Sequence, residues 1–230
     1  MPPASVTSKL AAAAAPGFVL ERSAAVPALV GRHQDFLFIA GLGGTACDVG
    51  AVTGDGAHVY SLGGAMGAAC MMGLGLALAR PDKRVLVVTG DGELLMNLGA
   101  LAAIAVIDPP NLAILCVDNG HYGETGWQKS HTSLGVDLEK IAIGSGIKRT
   151  HTVAVDADIA AGARLLRRQR HRLRTAAGQT HRAGRVQAQF RCIALARSLP
   201  RCAAVEVVIW SSRHSGATRS VEPGIHDYRL

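Results

Sequence analysis

The stretch "VVTGDGELLMNLGAL", residues 87–101, decides how this chain is read. A β-branched run ends at Gly90-Asp91-Gly92, and a helix-like apolar pattern begins at once near Glu93. Strand, glycine turn and helix in that order form one half of a βαβ unit. A single acid between two glycines, at the carboxyl end of a strand, stands where open parallel sheets bind their ligands.

The same alternation continues on both sides. Upstream, the pattern predicts a helix over 19–31 weakened by Pro27, a strand over 35–41, and the glycine-rich "GLGGTACDVG" leading into a short helix. A short strand over 58–64 and a helix over 65–79 follow. "KRVLVVT" (83–89) is the strand before the glycine turn, and the helix over 93–107 stops at Pro109-Pro110. Downstream come a strand over 111–118, a long polar loop over 119–133, a helix over 137–146, a weaker strand over 150–156 and a helix over 157–166. Apolar strands alternating with helices predict an α/β fold, three-layer αβα with a mostly parallel sheet. A length of 230 residues suits one such domain with appendages.

Composition narrows the class. Apolar residues make up 49% and aromatics 4%, with abundant glycine and alanine that suit close helix–sheet packing. The cysteines at 47, 70, 116, 192 and 202 show no metal-ligand spacing, and are read as reduced thiols of a cytoplasmic protein. Residues 1–18 lack an apolar signal core and are expected to be a disordered leader. Residues 62–79 are apolar throughout, but glycine-studded and followed directly by "RPDKRVLVVTGDG". They are therefore read as a buried loop and helix, and no membrane partner is expected.

The net charge of +7 is unevenly spread. Residues 1–150 hold 10 Lys+Arg against 12 Asp+Glu, whereas 151–230 hold 14 Arg, no Lys and 5 acids. A nucleic-acid-binding tail is the competing reading of "RLLRRQRHRLRTAAGQTHRAGR". Its near lack of aromatics to stack on bases counts against it.

The chemistry lies at the strand ends. Asn119 follows the strand over 111–118 and stands 28 positions beyond Asp91. The intervening helix and return strand bring both to one sheet edge, one or two spacings of about 4.8 Å apart. A carboxylate and an amide oxygen suit Mg²⁺, which takes few protein ligands and completes its shell from phosphates and water. The glycines admit a phosphate to the backbone. The helix starting near Glu93 turns its free N–H groups toward an anion, and the Glu93 side chain is expected to cap that helix. No Walker A loop occurs, and "GLGGTA" (41–46) lacks the spacing of a nicotinamide site.

Gly90-Asp91-Gly92 through Asn119 resembles the thiamine diphosphate motif, GDG followed some way on by Asn. The flanking "SLGGAMGAACMMGLGLALARPDKRVLVVTGDGELLMNLGALAAI" and "LCVDNGHYGETGWQKSHTSLGVDL" resemble the small β subunits of sulfopyruvate and phosphonopyruvate decarboxylase-type enzymes. That resemblance covers residues 20–165. It implies a thiamine diphosphate-binding domain over 19–165, with Mg²⁺ held by Asp91, Asn119 and the backbone carbonyl of His121. Gly90, Gly92 and Glu93 would meet the diphosphate through backbone groups. The Gly64 carbonyl would accept from the aminopyrimidine, and Met66 would support the bent cofactor from below. The family often has Asn-Asn where this chain has Asp118-Asn119, and the ligand position is kept.

On the polar loop, Tyr122, Glu124, Gln128 and Ser130 are further candidates. His121 or His131 could move a proton, and Trp127 is an interface candidate. The resemblance also implies a partner. The glutamate that activates the pyrimidine belongs to a separate domain, so a pyrimidine-domain subunit is expected to complete the site for a small 2-oxo acid. The β subunit of a 2-oxo acid oxidoreductase, or an acetolactate synthase-like carboligase, is the alternative within this class.

The last expectation concerns residues 166–230. Lysine ends at Lys148 and arginine accumulates without helical or strand period. The Gly-Pro and closing helix–strand pattern that the resemblance implies does not appear. The segment is expected not to complete the domain, as a disordered tail or one read out of frame, although residues 203–210 could form a strand.

Overall fold

A computed structural model describes residues 20–167 and the backbone of 206–211. The N-terminal leader and most of the arginine-rich segment, with Cys192 and Cys202, lie outside the described residues.

In chain order the elements are α1 (Arg22–Val30), β1 (Phe36–Ala40), α2 (Gly44–Thr53), β2 (Val59–Ser61), α3 (Ala69–Ala79), β3 (Arg84–Gly90) and α4 (Asp91–Leu95). Then follow α5 (Gly99–Ile107), β4 (Leu112–Asp118), β5 (His121–Tyr122), β6 (Gln128–Lys129), α6 (Leu138–Gly144), β7 (Thr150–Val153), α7 (Asp156–Arg167) and β8 (Glu206–Ser211). The main sheet has the order β2-β1-β3-β4-β8-β7, and β5 and β6 form a separate hairpin. The strands from β2 through β4 run parallel.

Alternation along β3 explains the layers. Leu86 and Val88 face one core with Phe36, Phe38, Leu115, α1, α2 and α7. Val85 and Val87 face the other, with Ile114, Cys116, α3, α4, α5 and α6. Both faces of the central strands are therefore dry, as the apolar runs predict. The Asn111 amide fastens α3 to the sheet by donating to the carbonyls of Ala77, Arg80 and Lys83 at 2.8–3.0 Å.

Two expectations are corrected. The helix read over 93–107 is two helices, α4 and α5, separated at residues 96–98. The first begins at Asp91, so Gly90 is its N-cap and no side chain caps it, Glu93 included. In the tail, the strand read as possible over 203–210 is present as Glu206–Ser211. β8 lies between β4 and β7, antiparallel to both, with Val208 opposite Cys116 on one side and Thr152 on the other. The sheet thus extends past residue 166. A β-branched run such as Val207-Val208-Ile209 is what a two-sided strand position favours. None of the described helices is long and apolar enough to cross a membrane, and the 62–79 segment contributes only the 11 residues of α3.

Candidate functional site

The cavity opens where the sheet reverses its winding. α2 leaves β1 on one face, and α4 leaves β3 on the other, so the loops after these neighbouring strands part. The lining comes from the loop after β1 (Leu42–Thr45), the glycine turn after β3 (Gly90–Glu93) and the segment after β4 (Asn119, His121–Glu124), joined by Arg22, Met66 and Trp127.

Register brings Asp91 and Asn119 together. Gly90 pairs with Val117 on adjacent parallel strands, so the next residues of each strand meet at the sheet edge. The Asn119 and Gly92 backbone N–H groups favour the ionised form of Asp91. Asp91 is 2% exposed, and its Oδ2 accepts from the Ser130 hydroxyl and lies 3.3 Å from Thr132 Oγ1. Burial outweighs these donors and pushes the Asp91 carboxyl above its ordinary range. Asp118 is also buried, accepting from the Gly120 N–H at 2.9 Å and from Thr132 Oγ1 at 2.7 Å. Its side chain braces the turn, and the Asn119 Oδ1 beside it accepts from the His121 N–H at 2.9 Å.

Glu93 departs most from expectation. Its carboxyl turns under the loop after β1, where a Cβ on Gly41 would stand 1.8 Å from Oε2. Thr89 Oγ1 donates to Oε2 at 2.8 Å, while Oε1 is buried without a hydrogen-bond partner. Burial raises this carboxyl too, and the Thr89 hydroxyl only partly offsets it.

Met66 lines the cavity, in a loop that Asn97 holds by donating to the Gly67 carbonyl at 3.0 Å. Gly67 has φ +85°, a conformation suited to glycine. Gly64 is exposed and lies outside the lining. At Gly92 the close approach is made by the Tyr122 ring, 2.5 Å from where a Cβ would be.

The polar loop folds into the β5–β6 hairpin. His121 and Trp127 stack there with ring centroids 5.4 Å apart. His121 Nδ1 lies 2.9 Å from the Asn119 carbonyl. A carbonyl only accepts, so Nδ1 carries the hydrogen and Nε2 is the ring's acceptor. Glu124 lines the cavity, while Gln128 and His131 are exposed away from it. Ser130 is fully buried and serves Asp91.

A family model described as the thiamine pyrophosphate enzyme, C-terminal TPP binding domain, matches residues 48–173. The chain belongs to this family. The sulfopyruvate decarboxylase β subunit of Methanocaldococcus jannaschii is 46% identical over 99 residues, 43% of this chain and 52% of that one. The sulfopyruvate decarboxylase β subunit of Methanothermobacter thermautotrophicus is 39% identical over 128 residues, 56% of this chain and 68% of that one. The chain therefore spans half to two thirds of these relatives' length. A thiamine diphosphate-dependent 4-hydroxybenzoylformate decarboxylase from Rhodococcus jostii RHA1 superposes with a TM-score of 0.51 at 24% identity, over 65% of this chain and 30% of that one. That likeness concerns the fold alone.

In this thiamine pyrophosphate enzyme domain, sequence reasoning missed Thr132, Arg22 and the loop after β1. The glycines of "GLGGTA" were the available signal for that loop, since they follow the strand next to β3. Arg22 had none, because it reaches the cavity from a helix that precedes the sheet. Among the described residues no cluster of three His, Cys, Asp or Glu side chains could hold a metal. The carboxylate of Asp91 and the amide oxygen of Asn119 fit the sparser donor set of an ion completed by phosphate and water.

Proposed function

We propose that this chain is the small subunit of a thiamine diphosphate- and Mg²⁺-dependent decarboxylase acting on a short, sulfopyruvate-like 2-oxo acid. The reading rests above all on the meeting of Asp91 with Asn119 at the switch point. Two oxygen donors there, one of them a buried carboxylate with no Lys or Arg partner among the described residues, suit a divalent cation that carries a diphosphate.

Each residue has a task in this reading. Asp91 Oδ, Asn119 Oδ1 and the His121 carbonyl would hold Mg²⁺, while Ser130 and Thr132 keep Asp91 aimed. The backbone N–H groups of Gly92 and Glu93, in the first turn of α4, would meet the diphosphate. Met66 would support the rings, and the carbonyl of Gly64, two residues before it, would accept from the aminopyrimidine. When bound, the thiazolium stabilises the negative charge left as CO₂ departs. His121, with Nε2 free to accept, would hold a proton near that carbon. A partner subunit with a pyrimidine-binding domain would supply the activating glutamate, in keeping with the β-subunit names of the relatives.

The test is calorimetry of Mg²⁺–thiamine diphosphate binding to the chain joined with its partner subunit. Asp91→Ala should abolish the Mg²⁺-dependent binding while leaving the circular dichroism unchanged. Equal affinity in the variant would refute the assignment. The chain without its partner should release no CO₂ from any 2-oxo acid.

A further inference from the structure

We propose that Arg22 is the specificity residue of this site, binding the acidic group of the substrate that survives the reaction, a sulfonate-type oxyanion remote from the 2-oxo carboxylate. The inference rests on the decarboxylase reading above and adds the group by which substrates are chosen.

The charges of the cavity single out Arg22. Asp91, Glu93 and Glu124 are its acidic lining residues, and Arg22 is the lining Lys or Arg among the described residues. An anionic group entering this cavity meets no other Lys or Arg among the described lining residues. The guanidinium is already oriented. Its Nε lies 2.9 Å from Asp48 Oδ2, the two side chains being 17% and 9% exposed. It packs against Gly44, where a Cβ would stand 2.0 Å from Nη1 and 3.0 Å from Nη2. No second ion pair among the described residues engages those two nitrogens. Asp48 thus fixes one edge of the fork, and the other is presented beside the cavity. That planar edge matches two oxygens of a tetrahedral oxyanion.

Two arguments choose which anion. A cation on the carboxylate that leaves as CO₂ would stabilise the ground state more than the transition state, because that charge disperses as the bond breaks. A fixed arginine is therefore better matched to a charge that persists through the reaction. The diphosphate is the other candidate, but the Mg²⁺ that would neutralise it belongs after β3 and β4, on Asp91 and Asn119. Arg22 stands over the loop after β1, across the switch point.

The probe is 3-sulfopropionate, which carries both acids without the reactive carbonyl. The full chain is labelled with phenylglyoxal and modification is read arginine by arginine by mass spectrometry. Labelling of Arg22 should slow several-fold with 3-sulfopropionate. It should not slow with propionate at equal ionic strength, nor with Mg²⁺–thiamine diphosphate alone. Protection by propionate, by the cofactor alone, or by none of the three overturns the proposal. In the second arm, Arg22→Gln combined with Asp48→Asn removes both charges, so that no buried carboxylate is orphaned. Affinity for 3-sulfopropionate should fall about ten-fold or more, with Mg²⁺–thiamine diphosphate affinity unchanged. Unchanged 3-sulfopropionate affinity overturns the role of Arg22. Failure of the wild-type chain, with its partner, to take up the cofactor overturns the decarboxylase reading instead.

Discussion

The Thr132 hydroxyl donates to Asp118 Oδ1 at 2.7 Å, and so ties the loop beyond the hairpin to the end of β4. The same oxygen lies 2.8 Å from Ser130 Oγ and 3.3 Å from Asp91 Oδ2. One threonine therefore touches Asp91, Asp118 and Ser130 together. Thr132→Val keeps the shape and removes the hydroxyl. Leaving a buried carboxylate short of a donor costs about 1–3 kcal/mol. Urea unfolding should show a loss of that size, and calorimetry should show weakened cofactor binding. Thr132→Ser should restore most of both.

The close contact of α3 with the sheet depends on Gly73. A Cβ there would lie 2.1 Å from Val87 Cγ2 and 3.4 Å from Leu112 Cδ1. Alanine gains about 1 kcal/mol of helix propensity over glycine, while overpacking a core costs about 1–3 kcal/mol. The overlap is with a fully buried β-branched side chain that has little freedom to yield, so the clash should win. Gly73→Ala should lower the urea midpoint, and Val87→Ala in the same chain should recover part of the loss.

Asp48 gives stability a pH dependence of known sign. Burial raises its carboxyl from 3.8 to about 6 in spite of the Arg22 guanidinium beside it. Between these values the folded chain holds a proton that the unfolded chain has released. Stability from this group is therefore present at low pH and lost as pH rises toward about 6. Asp91 and Glu93 are shifted in the same direction, so the comparison must be made against a variant. The fall in urea midpoint between about pH 4 and about pH 7 should be smaller in Asp48→Asn than in wild type. An equal fall would show that Asp48 titrates normally in the folded chain.

The parts of the site that could be read from the sequence are those fixed by strand ends. Asp91 and Asn119 each follow an apolar strand, and parallel pairing of neighbouring strands leaves them little choice but to meet. Glu93 was misjudged because α4 starts two residues earlier than the apolar pattern suggests, which turns the side chain beneath Gly41. The break between α4 and α5 was invisible for a related reason. The apolar pattern resumes directly after it, so Asn97 within the break reads as one polar position of a continuous helix, and Gly99 becomes the start of α5. Arg22 and Thr132 act across long separations, where local period and propensity carry no information.

β8 was legible as a possible strand over 203–210 but not by its place in the sheet, and that place is open to a direct test. Its backbone stands between β4 and β7 in the sheet, pairing antiparallel on both sides. Val208 stands mid-strand, opposite Cys116 and Thr152. Proline there removes an N–H from the ladder, and proline in the interior of a central strand is found essentially only at bulges and edges. The site residues lie on the other side of β4, so the effect should be graded. Val208→Pro should speed hydrogen exchange at the amides of β4 and β7 while leaving β1 and β2 protected as before. If residues 206–211 take no part in the sheet, the substitution should change exchange in none of the four strands. The arginine-rich tail would then again stand outside the domain, and the gene's other two reading frames beyond about codon 150 become the place to look for the native closing strand.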